Sequence, residues 1–131
     1  MTIEVIDDFL PINQYKQVHE FMNSFDIPWF LNNGKVDNED GIAQFTHAFW
    51  KNHGIQSHYI KWIGCLMDAF KFNALVKVKA NLTFGRPELL TTKFHVDAKD
   101  ANLDSRTTAI FYLSDTNGPT VFKDPEQEVE C

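Results

Sequence analysis

The chain has 131 residues, 44% of them hydrophobic and 14% aromatic, enough for one globular domain with a modest core. Its formal net charge is −6, with no basic run and no arginine-rich arm, which argues against a nucleic-acid backbone as main partner. No apolar stretch is long enough to span a bilayer, and MTIEVIDDFL lacks the basic and apolar signature of a secretion signal, so a cytoplasmic setting is expected.

Twelve phenylalanines suggest a core filled with flat rings, which suits packing against a sheet. Ile3 to Phe9 reads as a short strand that stops at Leu10-Pro11, with Pro11 in the first turn of a helix. Tyr15, Val18, Met22 and Phe25 recur at three- and four-residue steps and give that helix one apolar face. Ile27 to Leu31 is an apolar strand with Pro28 near its start, and the polar, turn-rich stretch from Asn32 to Gly41 is a surface loop. Ile42 to Trp50 returns to strand composition. Ser57 then caps a second helix, with Ile60, Ile63, Met67 and Phe70 on its buried stripe.

Leu75 to Phe84 alternates cleanly, with Val76, Val78, Ala80, Leu82 and Phe84 on one face and Lys77, Lys79, Asn81 and Thr83 on the other. Gly85-Arg86-Pro87 breaks that strand, and Thr92 to Asp97 forms the next. Ala98 to Ser105 is a polar loop, Arg106 to Leu113 a strong β run, Asp115 to Gly118 a turn, and Thr120 to Phe122 a short strand; Glu126 to Cys131 opens another. Helices first and closely spaced strands afterwards mark the α+β class with an antiparallel sheet. Cys65 lies in an apolar helical pattern and reads as a buried free thiol. Cys131 is the other cysteine, and with no CxxC present neither a zinc ribbon nor a redox pair is supported.

The chemistry-bearing feature is His95-Val96-Asp97. Residues two apart on a strand share a face, so an imidazole and a carboxylate stand side by side. That pair is two thirds of the facial triad that holds Fe(II) in non-haem oxygenases. An HxD alone is weak evidence, since this composition yields about 0.4 such pairs by chance, and a strand histidine bonded to a neighbouring acid is the plainer reading. Its place at the end of a β run, before a polar loop, favours a ligand pair with open positions for co-substrates. No histidine follows Asp97, so a third ligand of that kind is missing. Among the others, His19 falls on the polar side of the first helix, and His53 and His58 read as surface residues. His47 is a core or pocket residue and the one upstream candidate for a site role.

Asn81, His95-x-Asp97, Ile110-Phe111-Tyr112-Leu113-Ser114-Asp115 and Asn117-Gly118-Pro119-Thr120-Val121-Phe122, in that order, resemble the first half of an iron(II)- and 2-oxoglutarate-dependent dioxygenase of the prolyl-hydroxylase type. The upstream DDFL, the Pro28-Trp29 pair and His47-x-Phe49-Trp50 are similar to small phage and bacterial members, so the resemblance spans nearly the whole chain. It implies a double-stranded β-helix, or jelly roll, with N-terminal helices packed on one sheet. Residues 1–131 would then be a single, partial domain: 1–73 the N-terminal strands and supporting helices, 74–131 the first half of the β-helix core. It implies Fe(II) as metal and 2-oxoglutarate as co-substrate, leaves room for ascorbate, and points to hydroxylation of a peptide, a protein or a small molecule. By position His95 and Asp97 match the first two iron ligands. Tyr112 matches a tyrosine whose hydroxyl bonds the co-substrate carboxylate, although it also reads as a strand aromatic with its hydroxyl at the solvent edge. Asn81 lies on a strand that often faces the co-substrate, or else beside Lys77 and Lys79 facing solvent. Thr120 and Phe122 match a turn that shapes the barrel.

The chain departs from that pattern at Glu128-Val129-Glu130-Cys131, where the next strand should begin. The strands that bring the distal histidine and the Arg or Lys anchor for 2-oxoglutarate are missing, and from Leu75 onward there are four strands where a jelly roll needs about eight. A fragment of a longer product is the preferred expectation and a degenerate complete protein the other. The alternative functions are a truncated, non-catalytic jelly-roll interaction module that self-associates through its open sheet edge, and a metal-free binding domain of the cupin sort.

Overall fold

Pro11 and Val18 set the start and the buried face of the first helix. Pro11, at φ −52°, precedes helix α1, Ile12–Met22, and its carbonyl accepts the Tyr15 N–H at 3.0 Å. Val18, Phe21 and Met22 are buried at the three- and four-residue spacing of one helical face. The helix ends where Asn23 turns back, its side-chain amide donating to the His19 carbonyl at 2.8 Å. The apolar stripe therefore stops at Met22, and Phe25, expected on it, is fully exposed beyond the helix end.

The computed structural model describes residues 2–32, 42–97, 106–123 and 126–130. They divide into two units, Ile6–Phe84 and Met1–Val5 with Gly85–Cys131. The class is α+β with antiparallel sheets, as the order of elements implies. Among the described residues no helix is long and apolar enough to cross a membrane. The loops expected at 32–41 and 98–105 lie outside the described residues, apart from Asn32 at the end of a strand.

In the first unit a four-stranded sheet is organised around β2, Gln44–Lys51. Strand β1, Phe30–Asn32, and strand β3, Gly54–Ile55, pair antiparallel with opposite ends of β2, and β4, Val78–Leu82, pairs along it. Trp50 pairs with both Ile55 and Val78, which puts β3 and β4 on opposite edges of β2. The register with β4 shifts between Ala48 and Trp50, leaving Phe49 as the extra residue of a bulge. The Trp50 indole N–H donates to the Leu75 carbonyl at 3.0 Å and ties down the approach to β4.

Ser57 caps the next element as expected, its hydroxyl oxygen accepting the Tyr59 N–H at 3.2 Å. That element opens as a 3-10 helix, His58–Ile63, and continues as the short helix α2, Gly64–Ala69. The core of this unit is Leu10, Val18, Phe21, Met22, Ile27, Phe49 and Ile63, with Gln44 and His47 as its buried polar members. Full burial of side chains the size of Phe49 contributes about 1.5–3 kcal/mol each. Cys65 is half-buried rather than buried, because α2 runs for only six residues and holds no fully buried position.

The second unit contributes a hairpin, β5, Thr120–Lys123, with β6, Glu126–Val129, paired from Thr120↔Val129 to Lys123↔Glu126. Both were legible as strands. Three others were not as expected. Residues 3–9 form no strand; Asp8 sits at φ 52° and Val5 and Ile6 are exposed. Residues 92–97 and 106–113 join no ladder. In the first of these stretches Phe94 and Val96 are as exposed as His95, so no buried face selects a register. In the second Phe111, Tyr112 and Leu113 are half-buried in succession, without the alternation of a strand. The apolar run from Ile27 shrinks to β1 for a related reason: Pro28 lacks the N–H that a ladder needs.

Candidate functional site

His95 and Asp97 come together, though not on a strand. His95 Nε2 lies 3.5 Å from Asp97 Oδ1, and the side chains are 41% and 51% exposed. His95 Nδ1 is 3.2 Å from the Lys93 carbonyl oxygen. A carbonyl only accepts, so Nδ1 carries the proton and donates it, which leaves Nε2 as the atom facing the carboxylate. A neutral Nε2 presents a lone pair to an anionic oxygen, which is unfavourable unless a proton or a metal cation lies between them. A metal-bound imidazole has this arrangement: one nitrogen on the cation, the other N–H on a backbone carbonyl.

The pair can be tested for fit. Nitrogen and oxygen donors each about 2.1 Å from one cation at right angles stand roughly 3 Å apart. A separation of 3.5 Å needs only a small side-chain rotation to reach that value. Among the described residues no group of three or more His, Cys, Asp and Glu side chains is placed to hold an ion. His95 and Asp97 thus stand as a pair of donors open to solvent.

Tyr112 is half-buried and its hydroxyl is hydrogen-bonded to Thr120 Oγ1 at the start of β5. The bond joins two residues that the sequence singled out separately. Asn81 belongs to the other unit; it pairs with Thr46 across β2 and β4 and is exposed.

His47 is both a core residue and a pocket residue. It is 3% exposed, yet it lines an open hollow of about 480 Å³ together with Pro28, Phe30, Ala48, Ser57 and Tyr59. Its ring contacts Phe49, Tyr59 and Phe30 at centroid distances of 4.7, 5.8 and 6.2 Å. Nδ1 is 2.7 Å from the Pro28 carbonyl and Nε2 is 2.8 Å from Ser57 Oγ. The carbonyl again assigns the proton to Nδ1, so the Ser57 hydroxyl donates to Nε2. Sequence reasoning found Ser57 as a cap and His47 as a pocket candidate but did not join them. The chain between them includes a two-strand hairpin, and only its tight turn brings the two side chains together. His53 and His58 are exposed, as expected, and His19 is half-buried, its ring 5.7 Å from that of Tyr15.

No family model, curated protein or solved structure matches the chain.

Proposed function

We propose that the chain is an oxidoreductase of the iron(II)- and 2-oxoglutarate-dependent dioxygenase type, built on a double-stranded β-helix and hydroxylating a peptide, a protein or a small molecule. The observation that carries this reading is the orientation of His95, whose Nδ1–H is taken by the Lys93 carbonyl while Nε2 faces Asp97 Oδ1 at 3.5 Å. Imidazole and carboxylate suit ferrous iron without quenching its redox chemistry. His95 Nε2 and an Asp97 oxygen would hold the ion. When bound, iron supplies oxygen activation, coupled to oxidation of 2-oxoglutarate to succinate and carbon dioxide. Tyr112 would offer its hydroxyl to the co-substrate carboxylate, with Thr120 fixing that hydroxyl's direction.

Anaerobic titration of the 131-residue chain with Fe(II) and 2-oxoglutarate tests the proposal. The expected result is a visible charge-transfer absorption that is lost in His95→Ala. No band with the unaltered chain, or the same band in the variant, overturns the reading.

A second reading has its own support. Leu89, Phe94, Val96, Ile110 and Val121, all within Gly85–Cys131, are large apolar side chains left exposed. They suit a non-catalytic module that buries them against a second copy of the chain. Sedimentation of the chain as a monodisperse monomer would count against it.

A further inference from the structure

We propose that Ser57 is a nucleophile, activated by His47, that takes the acyl group of small uncharged esters in the hollow beside β2. The proposal is independent of the iron reading and uses other residues. A nucleophilic serine needs a base within hydrogen-bond reach and a third group that orients the base. All three are present in one unit. Ser57 Oγ is 2.8 Å from His47 Nε2, and His47 Nδ1 is 2.7 Å from the Pro28 carbonyl oxygen. The carbonyl fixes the tautomer with its proton on Nδ1, so the lone pair of Nε2 faces the serine hydroxyl. Phe49 and Tyr59 pack on the imidazole and hold its plane.

Capping alone does not account for this arrangement. To cap the 3-10 helix, Ser57 needs only an oxygen lone pair for the Tyr59 N–H. Its hydroxyl proton is not required there, yet it is delivered to a histidine that is itself anchored from behind. The Tyr59 N–H occupies one lone pair of Oγ and leaves the other free to reach a carbonyl carbon.

The hollow selects the substrate class. Its volume of about 480 Å³ lies within the range of small-molecule pockets. Pro28, Phe30, Ala48 and Tyr59 supply apolar wall, and Thr46, Gln56 and His58 add polar lining. A short, uncharged acyl chain matches that wall.

The reaction balances without a further reagent. Ser57 Oγ bonds to the ester carbonyl carbon while His47 Nε2 takes the hydroxyl proton. The bond from that carbon to the leaving oxygen then breaks, and the leaving oxygen takes the proton from Nε2 and departs as the alcohol. Water attacks the acyl-serine and gives one proton to Nε2; the acid departs as Ser57 Oγ takes that proton back. The sum is ester plus water to acid plus alcohol.

The test uses the whole chain and a small alkyl fluorophosphonate, which phosphonylates activated serines with loss of fluoride. The expected result is one adduct per chain, mapped to Ser57 by peptide mass spectrometry. It should form about 100-fold faster than in the same chain unfolded in urea, and His47→Gln should slow it by a similar factor. The folded-against-unfolded comparison needs no variant, so loss of fold in His47→Gln does not confuse the outcome. Labelling at another residue, no labelling, or equal rates in folded and unfolded chain would overturn the proposal.

Discussion

His95 Nε2 faces Asp97 Oδ1 across 3.5 Å, while the opposite ring nitrogen is held by the carbonyl of Lys93. Both side chains are about half exposed, so the pair by itself adds little to stability, the usual fate of a solvent-screened contact. A cation placed between the two donors changes that balance, because each group then gains a partner that solvent does not match. His95→Ala and Asp97→Ala should each weaken Co(II) or Mn(II) binding by about tenfold or more, and shift the urea midpoint by no more than about 0.5 kcal/mol in equivalent stability. Isothermal titration with each metal, beside a denaturation curve, separates the two effects. Unchanged metal affinity in both variants removes the basis for the iron proposal.

Tyr112 and Thr120 are joined by their hydroxyls, so their contributions to stability should not add. Tyr112→Phe and Thr120→Val should each cost about 0.5–1.5 kcal/mol, and the double variant less than the sum. Thr120 also opens β5, so its removal tests the hairpin as well. If the Tyr112 hydroxyl receives the co-substrate, Tyr112→Phe should also weaken 2-oxoglutarate binding in the presence of metal, measured by the same titration. A loss of stability without a loss of 2-oxoglutarate affinity assigns Tyr112 to structure alone.

The parts of this chain that sequence reasoning could reach are those governed by local chemistry. The Ser57 cap, the apolar spacing of Val18 and Met22, the strand composition around β2 and the turn before Thr120 all act within a few residues. Strand pairing does not. The alternation around His95 and the β run before Leu113 encode a side-chain pattern, but a ladder needs a neighbour, and these stretches join none among the described residues. The same distinction holds at the sites. His95 and Asp97 are two residues apart and their proximity follows from the chain itself. The link from His47 to Ser57 depends on how a hairpin closes, and the anchoring of His47 by Pro28 depends on β1 pairing with β2.

Phe49 and Phe25 are chemically identical and structurally opposite. Phe49 is 2% exposed and occupies the bulge of β2, packed against His47, whereas Phe25 is fully exposed past the end of α1. Phe49→Ala should therefore cost about 3–5 kcal/mol through lost burial and the cavity left behind. Phe25→Ala should stay within about 0.5 kcal/mol. Urea unfolding of the two variants checks the contrast. Similar losses for both would contradict the assignment of the core.

The turn that joins β2 to β3 places Asn52 and His53 at φ 53° and 61°. A two-residue hairpin with both central residues at positive φ is the turn whose twist matches its strands, and Asn-Gly is its preferred sequence. Asn52 fits that preference and His53 does not. A non-glycine residue there costs about 1–2 kcal/mol, against about 0.5–1 kcal/mol of extra chain entropy lost by glycine on folding. His53→Gly should thus raise stability by about 0.5 kcal/mol, while the β-branched His53→Val should lower it by at least about 1 kcal/mol. The turn also sets the position of Ser57. The Gln56 backbone N–H donates to the Phe49 carbonyl at 2.8 Å, and its side-chain amide donates to the Lys51 carbonyl at 2.9 Å. A variant that loosens the hairpin should separate Ser57 from His47. His53→Val should therefore slow fluorophosphonate labelling of Ser57, and His53→Gly should preserve it, with the labelling rate read at a temperature where both variants remain folded.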